Sequence, residues 1–180
     1  MNPAHERNNT LSTLQDAITR LGPVVNDRLI PPEGISFGFA IRGARDSGGV
    51  AAAAGGIQTS ARAKVHAGPC AFGTEEPVVR IILTVMKFNP VIRSAAILQF
   101  SDRALAVFEN DLFLECATWK AVSANQGIST MDWGVASCCE EGLPDVIFRP
   151  DTNVAGSRLI LFGETPADVM NNIIICSNRF

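Results

Sequence analysis

The 180-residue sequence holds only two histidines, His5 and His66. Its five cysteines, Cys70, Cys116, Cys138, Cys139 and Cys176, form no CxxC pair and lie far from any histidine at metal-ligand spacing. A zinc site and a disulfide framework are therefore not expected, and the cysteines read as reduced core thiols. Adjacent Cys138 and Cys139 cannot both face the core from one helix. No basic cluster is present and the formal net charge is −3, which argues against a nucleic-acid surface but leaves room for a small anion held by two or three Arg or Lys. No apolar run approaches the length of a membrane span, and the opening MNPAHERNNT lacks the apolar stretch of a signal peptide. The expectation is a cytoplasmic protein with neither membrane nor nucleic acid among its partners. Internal repeats and low-complexity linkers are also missing.

What is present suits one globular domain with a sizeable core. Charged residues make up only 18% against 47% hydrophobic ones, so the surface is rather apolar, a hint of oligomerisation. Residues 1–9 read as a flexible tail and 10–180 as the domain. Leu11, Leu14, Ile18 and Leu21 share one helical face, and Gly22 and Pro23 end that helix, which reads either as part of the domain or as an arm reaching a second subunit. Strands are expected over Ile35–Ala44 and Ala61–Pro69, the second with Arg62, Lys64 and His66 on one side. The unit AAILQFS, DRALAVFEND, LFLECAT reads as strand, helix and strand, which favours parallel pairing and an α/β class. A short helix starts near Ser129 or Thr130, PDVIFRP and RLILFGE are extended, and a last helix has Thr165 as N-cap, Pro166 at N1 and Asp168 at N3.

The stretch FGTEEPVVR, Phe72 to Arg80, opens a helix that runs to about Phe88. Thr74 reads as its N-cap, with Glu75 and Glu76 in the first turn and Pro77 where a missing N–H costs little. A helix N-terminus ordinarily attracts phosphate, but two carboxylates there repel it.

The motifs GP-x-x-FG, VMKFNPVIRSAAILQFS, STMDWGV and PDVIFRPDTNV…RLILFGETPADV, with RLIPPEGISFGFAIRGA before them, resemble in order and spacing the ThiN-type thiamine-phosphate synthase family over Arg28 to Ile174. The resemblance implies a three-layer α/β/α domain with a mixed sheet, class II aldolase/adducin-like and usually a homodimer. It implies an activity that joins hydroxymethylpyrimidine diphosphate to thiazole phosphate and releases pyrophosphate. It also implies a catalytic Arg and a catalytic His, which fall on Gly56 and on Pro77 in this sequence. Both side chains are absent.

The candidate ligand-binding residues are Arg93 and Arg62 for a phosphate and Asn89 beside Pro90. Trp133 and Gly134 are candidates for an aromatic face, Asp132 and Asp145 for aminopyrimidine acceptors, and Gly68 and Gly73 for the loop. Each also has an ordinary reading: Arg93 as a surface salt bridge, Asn89 as a turn residue, Trp133 as core, Asp132 and Asp145 as caps or turns. Lys87 reads as a helix-end charge. His66 is the one candidate acid or phosphate donor to stand in for the lost His, with a partly buried structural His as its plain reading. The sequence identifies no cofactor with certainty; Mg²⁺ held by Glu75 or Glu76 and carrying a diphosphate is a subsidiary reading. The expectation is a ThiN-like domain that binds thiamine phosphate, or a related aminopyrimidine or thiazole phosphate, with weak or no synthase activity. The alternatives are an active synthase and a dimeric interaction domain without a small ligand. The missing metal-binding histidines argue against a class II aldolase.

Overall fold

In a computed structural model, residues 2–59, 65–120 and 131–180 are described. Helix α1 (Pro3–Leu21) leads to β1 (Ser36–Ala40), β2 (Val50–Ala53) and a hairpin of β3 (Ile57–Thr59) with β4 (Val65–Ala67). Then come β5 (Cys70–Phe72), α2 (Pro77–Phe88), β6 (Ser94–Gln99), α3 (Asp102–Ala106) and β7 (Cys116–Thr118). The chain closes with α4 (Trp133–Cys139), β8 (Val146–Arg149), β9 (Arg158–Gly163) and α5 (Pro166–Ser177). Seven strands form one mixed sheet in the order β5-β2-β1-β6-β9-β8-β7, in which β7 and β8 run parallel and every other pair is antiparallel.

The period-two alternation of the strands sorts the core into two clusters, one on each face. Phe37, Phe39, Ala51, Ala96, Leu98, Leu159 and Leu161 pack against Leu14, Ile18 and Leu21 of α1 and Val169, Met170 and Ile173 of α5. Ala52, Ala95, Ile97, Ile147, Ile160 and Phe162 pack against Val78, Ile82 and Val85 of α2 and Val135 and Cys139 of α4. The result is the three-layer α/β/α domain with a mixed sheet. No helix among the described residues is long and apolar enough to cross a membrane.

Several expectations are corrected. Residues 3–9 are helical, not a tail: Asn2 caps α1 by accepting from the Ala4 N–H, Pro3 occupies the first turn, and Arg7 donates to the Gly48 carbonyl and stacks on Phe72. The same helix lies on its own sheet rather than reaching out as an arm. β6 and β7 do not pair, because both edges of β6 are taken by β1 and β9. The second strand of that unit shortens to Cys116–Thr118, after Phe113 takes a left-handed backbone with φ 55°. The strand expected over Ile35–Ala44 ends at Ala40, and that expected over Ala61–Pro69 is Val65–Ala67; Arg62, Lys64, Ser129 and Thr130 lie outside the described residues. In α4 the buried thiol is Cys139, with Cys138 half-buried.

α2 reaches the sheet closely at Gly38, where a Cβ would sit 3.0 Å from the Ala51 oxygen and from methyl groups of Ile82 and Val78. Gly38→Val is therefore expected to cost about 1–3 kcal/mol through overpacking, read as a lower urea midpoint. An unchanged midpoint would show that α2 does not sit this close.

Candidate functional site

The start of α2 lies between the two lobes of a cleft, the first reaching the β1–β2 loop and the residues after β5, the second bordered by the residues that follow β7 and β8 and precede β1 and β9. The first lobe holds about 670 Å³ and the second about 480 Å³, and Pro77 and Arg149 border both.

Pro77 governs how α2 begins. The residue before a proline is pushed out of the helical region, so Glu76 is extended (φ −60°, ψ 140°) and becomes the N-cap, with Pro77 in the first turn. Glu75 and Glu76 thus precede the helix instead of filling its first turn, and Thr74 caps nothing, its hydroxyl being buried without a partner among the described residues. Of the first backbone donors, Pro77 has none, Val78 donates to the buried Ser36 hydroxyl at 3.2 Å, and Val79 donates to the Glu76 carbonyl at 3.0 Å. The helix end therefore has few free N–H groups to offer a phosphate.

Cations come from side chains instead. Arg45, Arg80 and Arg149 line the first lobe, and among the described residues none of their side chains forms an ion pair or donates a hydrogen bond. Four carboxylates share that lobe. Asp46 accepts from the Gly48 N–H, Glu76 from the Gly55 N–H and Asp132 from the Val135 N–H, which leaves Glu75 as the one without a partner among the described residues. Asp132 is further placed by the buried Thr84 hydroxyl, which accepts from the Asp132 N–H and donates to the Arg80 carbonyl, both at 2.8 Å. Gly73, with φ +74°, donates to the Ser47 carbonyl and so ties the two loops of this lobe together.

The second lobe is walled by Trp119, Asp151 and the pair Arg158–Glu33. Arg158 is fully engaged: it holds Glu33 through two bonds of 2.7 and 2.9 Å, and its remaining nitrogen donates to Gln99, Ala155 and Ser157. Trp119 extends the β7–β8 ladder by donating to the Phe148 carbonyl, and the Arg149 guanidinium stands 5.7 Å from its ring. Gly134 explains itself here, since any Cβ at that position would collide with the Trp119 indole nitrogen.

The cleft gathers Asp132 and Gly73 from the sequence candidates and seats Gly134 directly behind it. The others lie elsewhere. Arg93 donates to the Ala40 carbonyl and sits over Phe39, and burial and the nearby Arg42 lower its pKa. Asn89 ends α2 and accepts from the Val91 N–H, a turn role, whereas Asp145 accepts from the distant Glu115 N–H and so ties the start of β8 to the start of β7 rather than shaping a turn. Trp133 is 41% exposed and lines neither lobe, and Gly68 packs on Ala54. His66 is exposed on the β3–β4 hairpin, against a groove shared with Gln15 and Thr19 of α1, and so stands in for nothing in the cleft. Arg45, Arg80, Trp119, Arg149 and Asp151 were missed. Arg80 closes the stretch FGTEEPVVR, and Trp119 and Arg149 directly follow or end short strands, a position at which side chains commonly serve sites.

The cysteine thiols take no part. Burial pushes Cys70, Cys116 and Cys139 up to about 11 and Cys176 to about 12, far from a reactive thiolate. Among the described residues no three His, Cys, Asp or Glu side chains are grouped to hold a metal ion. A Mg²⁺ brought by ligand phosphates needs only one or two carboxylates, which Glu75 would supply.

The structure is thus a three-layer domain with an arginine-lined cleft beside the start of α2. A family model described as thiamine-phosphate synthase ThiN matches residues 13–175, and the chain belongs to that family. It is 29% identical over 127 residues, 69% of its length, to the bifunctional thiamine biosynthesis protein ThiDN of Methanocaldococcus jannaschii, and it spans 30% of the length of that relative. In fold it is similar to the crystallised C-terminal domain of a Methanocaldococcus jannaschii protein, with TM-score 0.83, 24% identity and coverage of 95% and 94% of the two chains. It is also similar to the C-terminal domain of a phosphomethylpyrimidine kinase, with TM-score 0.81, 22% identity and coverage of 95% and 100%.

The Arg158 guanidinium beside Glu33 lowers the Glu33 pKa. A carboxylate depressed in the folded state adds stability that is full above its unfolded pKa and is lost as pH falls through the folded value. The stability advantage of the natural chain over Glu33→Gln is thus expected at neutral pH and gone in acid, below the depressed value, as read by urea unfolding at stepped pH. An advantage independent of pH would contradict the ion pair.

Proposed function

We propose that this chain is a thiamine-metabolism domain that binds thiamine phosphate, or a related aminopyrimidine or thiazole phosphate, with little or no synthase activity. The observation that carries the reading is the convergence of Arg45, Arg80 and Arg149 on one lobe without ion pairs among the described residues. Guanidinium groups match phosphate geometry and hold it as charge-assisted donors.

The loss of synthase activity rests on the two positions at which the resemblance implies Arg and His. They are neighbours in space, since the Gly55 N–H donates to Glu76 at 2.8 Å, and Pro77 borders both lobes. Pro77 has no group to exchange a proton. Gly56 has φ +69°, and a Cβ there would lie 2.6 Å from the Ile35 oxygen, so this backbone admits no side chain at all. Departure of pyrophosphate requires charge neutralisation at the leaving group and stabilisation of the pyrimidinylmethyl cation, and an acid at position 77 is missing from this arrangement. The lobe still retains the cations that would bind a phosphorylated product.

The test is calorimetric titration with thiamine phosphate and with thiamine, in the presence of Mg²⁺ and of chelator. Thiamine phosphate is expected to bind more tightly than thiamine, and Arg149→Ala to weaken it about tenfold, roughly 1.4 kcal/mol. In chelator, Glu75→Gln is expected to strengthen it several-fold by removing a like charge from the lobe. Equal binding of the two ligands, or no heat with either, would overturn the reading. Turnover of the two phosphorylated precursors by the purified chain would overturn its non-catalytic part.

A further inference from the structure

The two lobes differ in the chemistry they offer. In the first, three guanidiniums have no ion-pair partner among the described residues. In the second, Arg158 is saturated by Glu33, Gln99 and two carbonyls, so among the described residues the only lining cation without a hydrogen bond or ion pair from its side chain is Arg149 at the border. What the second lobe does offer is an aromatic wall and a carboxylate oxygen. Trp119 keeps its indole nitrogen buried against Gly134, so it presents ring rather than donor. Asp151 uses Oδ1 to accept from the Thr152 N–H and hydroxyl, while Oδ2 has no hydrogen-bond partner among the described residues. That oxygen rests on the bare α-carbon of Gly156, where any Cβ would collide with it. The Asp151 backbone is pinned in turn, its N–H donating to the buried Ser157 hydroxyl at 2.9 Å.

The geometry points to the second lobe as the seat of a planar heteroaromatic ring bearing an amino group, with Trp119 as the stacking wall and Asp151 Oδ2 as the acceptor that selects the amine. This inference rests on the proposed thiamine-phosphate reading and adds to it a direction: phosphate among Arg45, Arg80 and Arg149, ring against Trp119. An ionised carboxylate only accepts hydrogen bonds. It therefore welcomes an exocyclic NH₂ and opposes a carbonyl oxygen in the same place, and a site built to bond a polar group discriminates against the analogue that lacks it.

The decisive comparison uses thiamine phosphate and its 4-oxo counterpart, oxythiamine phosphate, titrated against the full chain and against Asp151→Asn, with Asp151→Ser in parallel. Both ligands carry the same phosphate, so their ratio within one variant is insensitive to partial loss of folding. The natural chain is expected to prefer the amino ligand about tenfold, and the preference is expected to collapse toward unity in Asp151→Asn, whose amide can present a donor to the oxo group. Quenching of tryptophan emission by thiamine phosphate is expected to be largely lost in Trp119→Phe and kept in Trp133→Phe. Equal binding of the two ligands by the natural chain, or a preference that survives at Asp151→Asn and Asp151→Ser, would overturn the inference while leaving phosphate binding standing. No binding of either phosphorylated ligand would overturn both readings together.

Discussion

The cleft depends on how α2 begins. A helix N-terminus that points into a cleft is ordinarily the least demanding way to hold a phosphate, because its first N–H groups are unpaired and its dipole favours negative charge. Here Pro77 removes one donor, Ser36 takes the Val78 N–H and the Glu76 carbonyl takes that of Val79. Glu76 is itself turned back to the Gly55 N–H. With the helix end occupied in this way, the proposed anion recognition falls to side chains from three separate parts of the chain: Arg45 in the loop before β2, Arg80 one turn into α2, and Arg149 at the end of β8.

The same constraint accounts for the balance of charge in the first lobe. Three guanidiniums face four carboxylates, but three of those carboxylates are committed to backbone N–H groups and serve to hold loops and caps in place. The acidic residues at the start of α2 thus divide their roles. Glu76 is structural, whereas Glu75 has no partner among the described residues and would oppose an anion in the lobe unless a divalent cation accompanied it. Position 56 is the other half of the arrangement. A left-handed glycine pressed on the Ile35 carbonyl is incompatible with any side chain, so restoring an arginine there would require the β2–β3 turn to be rebuilt.

Features set by neighbouring residues were legible in the sequence. The capping box of α5, with Thr165, Pro166 and Asp168, forms as read, α2 ends at Phe88, and the apolar face of α1 packs through Leu14, Ile18 and Leu21. Misread boundaries have local physical causes as well. Thr74 cannot cap α2 because Pro77 forces Glu76 to remain extended, and the polar first two turns of α1 are held by distant contacts of Glu6 and Arg7 that no periodicity reveals. What was illegible is long-range. That β6 lies between β1 and β9 is a property of the whole sheet, and nothing in the local sequence separates Arg45 and Arg149, which line one lobe of the cleft, from Arg93, which spends its guanidinium on a carbonyl and a phenyl ring.

The central claim is that a phosphorylated ligand lies over the Pro77 end of α2 and is held by arginine side chains. Amide chemical shifts of the isotope-labelled chain, followed during titration with thiamine phosphate, test it most directly. Shifts at Gly73 to Glu76 and Val78 to Arg80, at Arg45 and Asp46, and at Trp119 and Arg149 are the predicted result. Shifts confined to the Asn89 end of α2 and Arg93, or to the groove between α1 and His66, would contradict it.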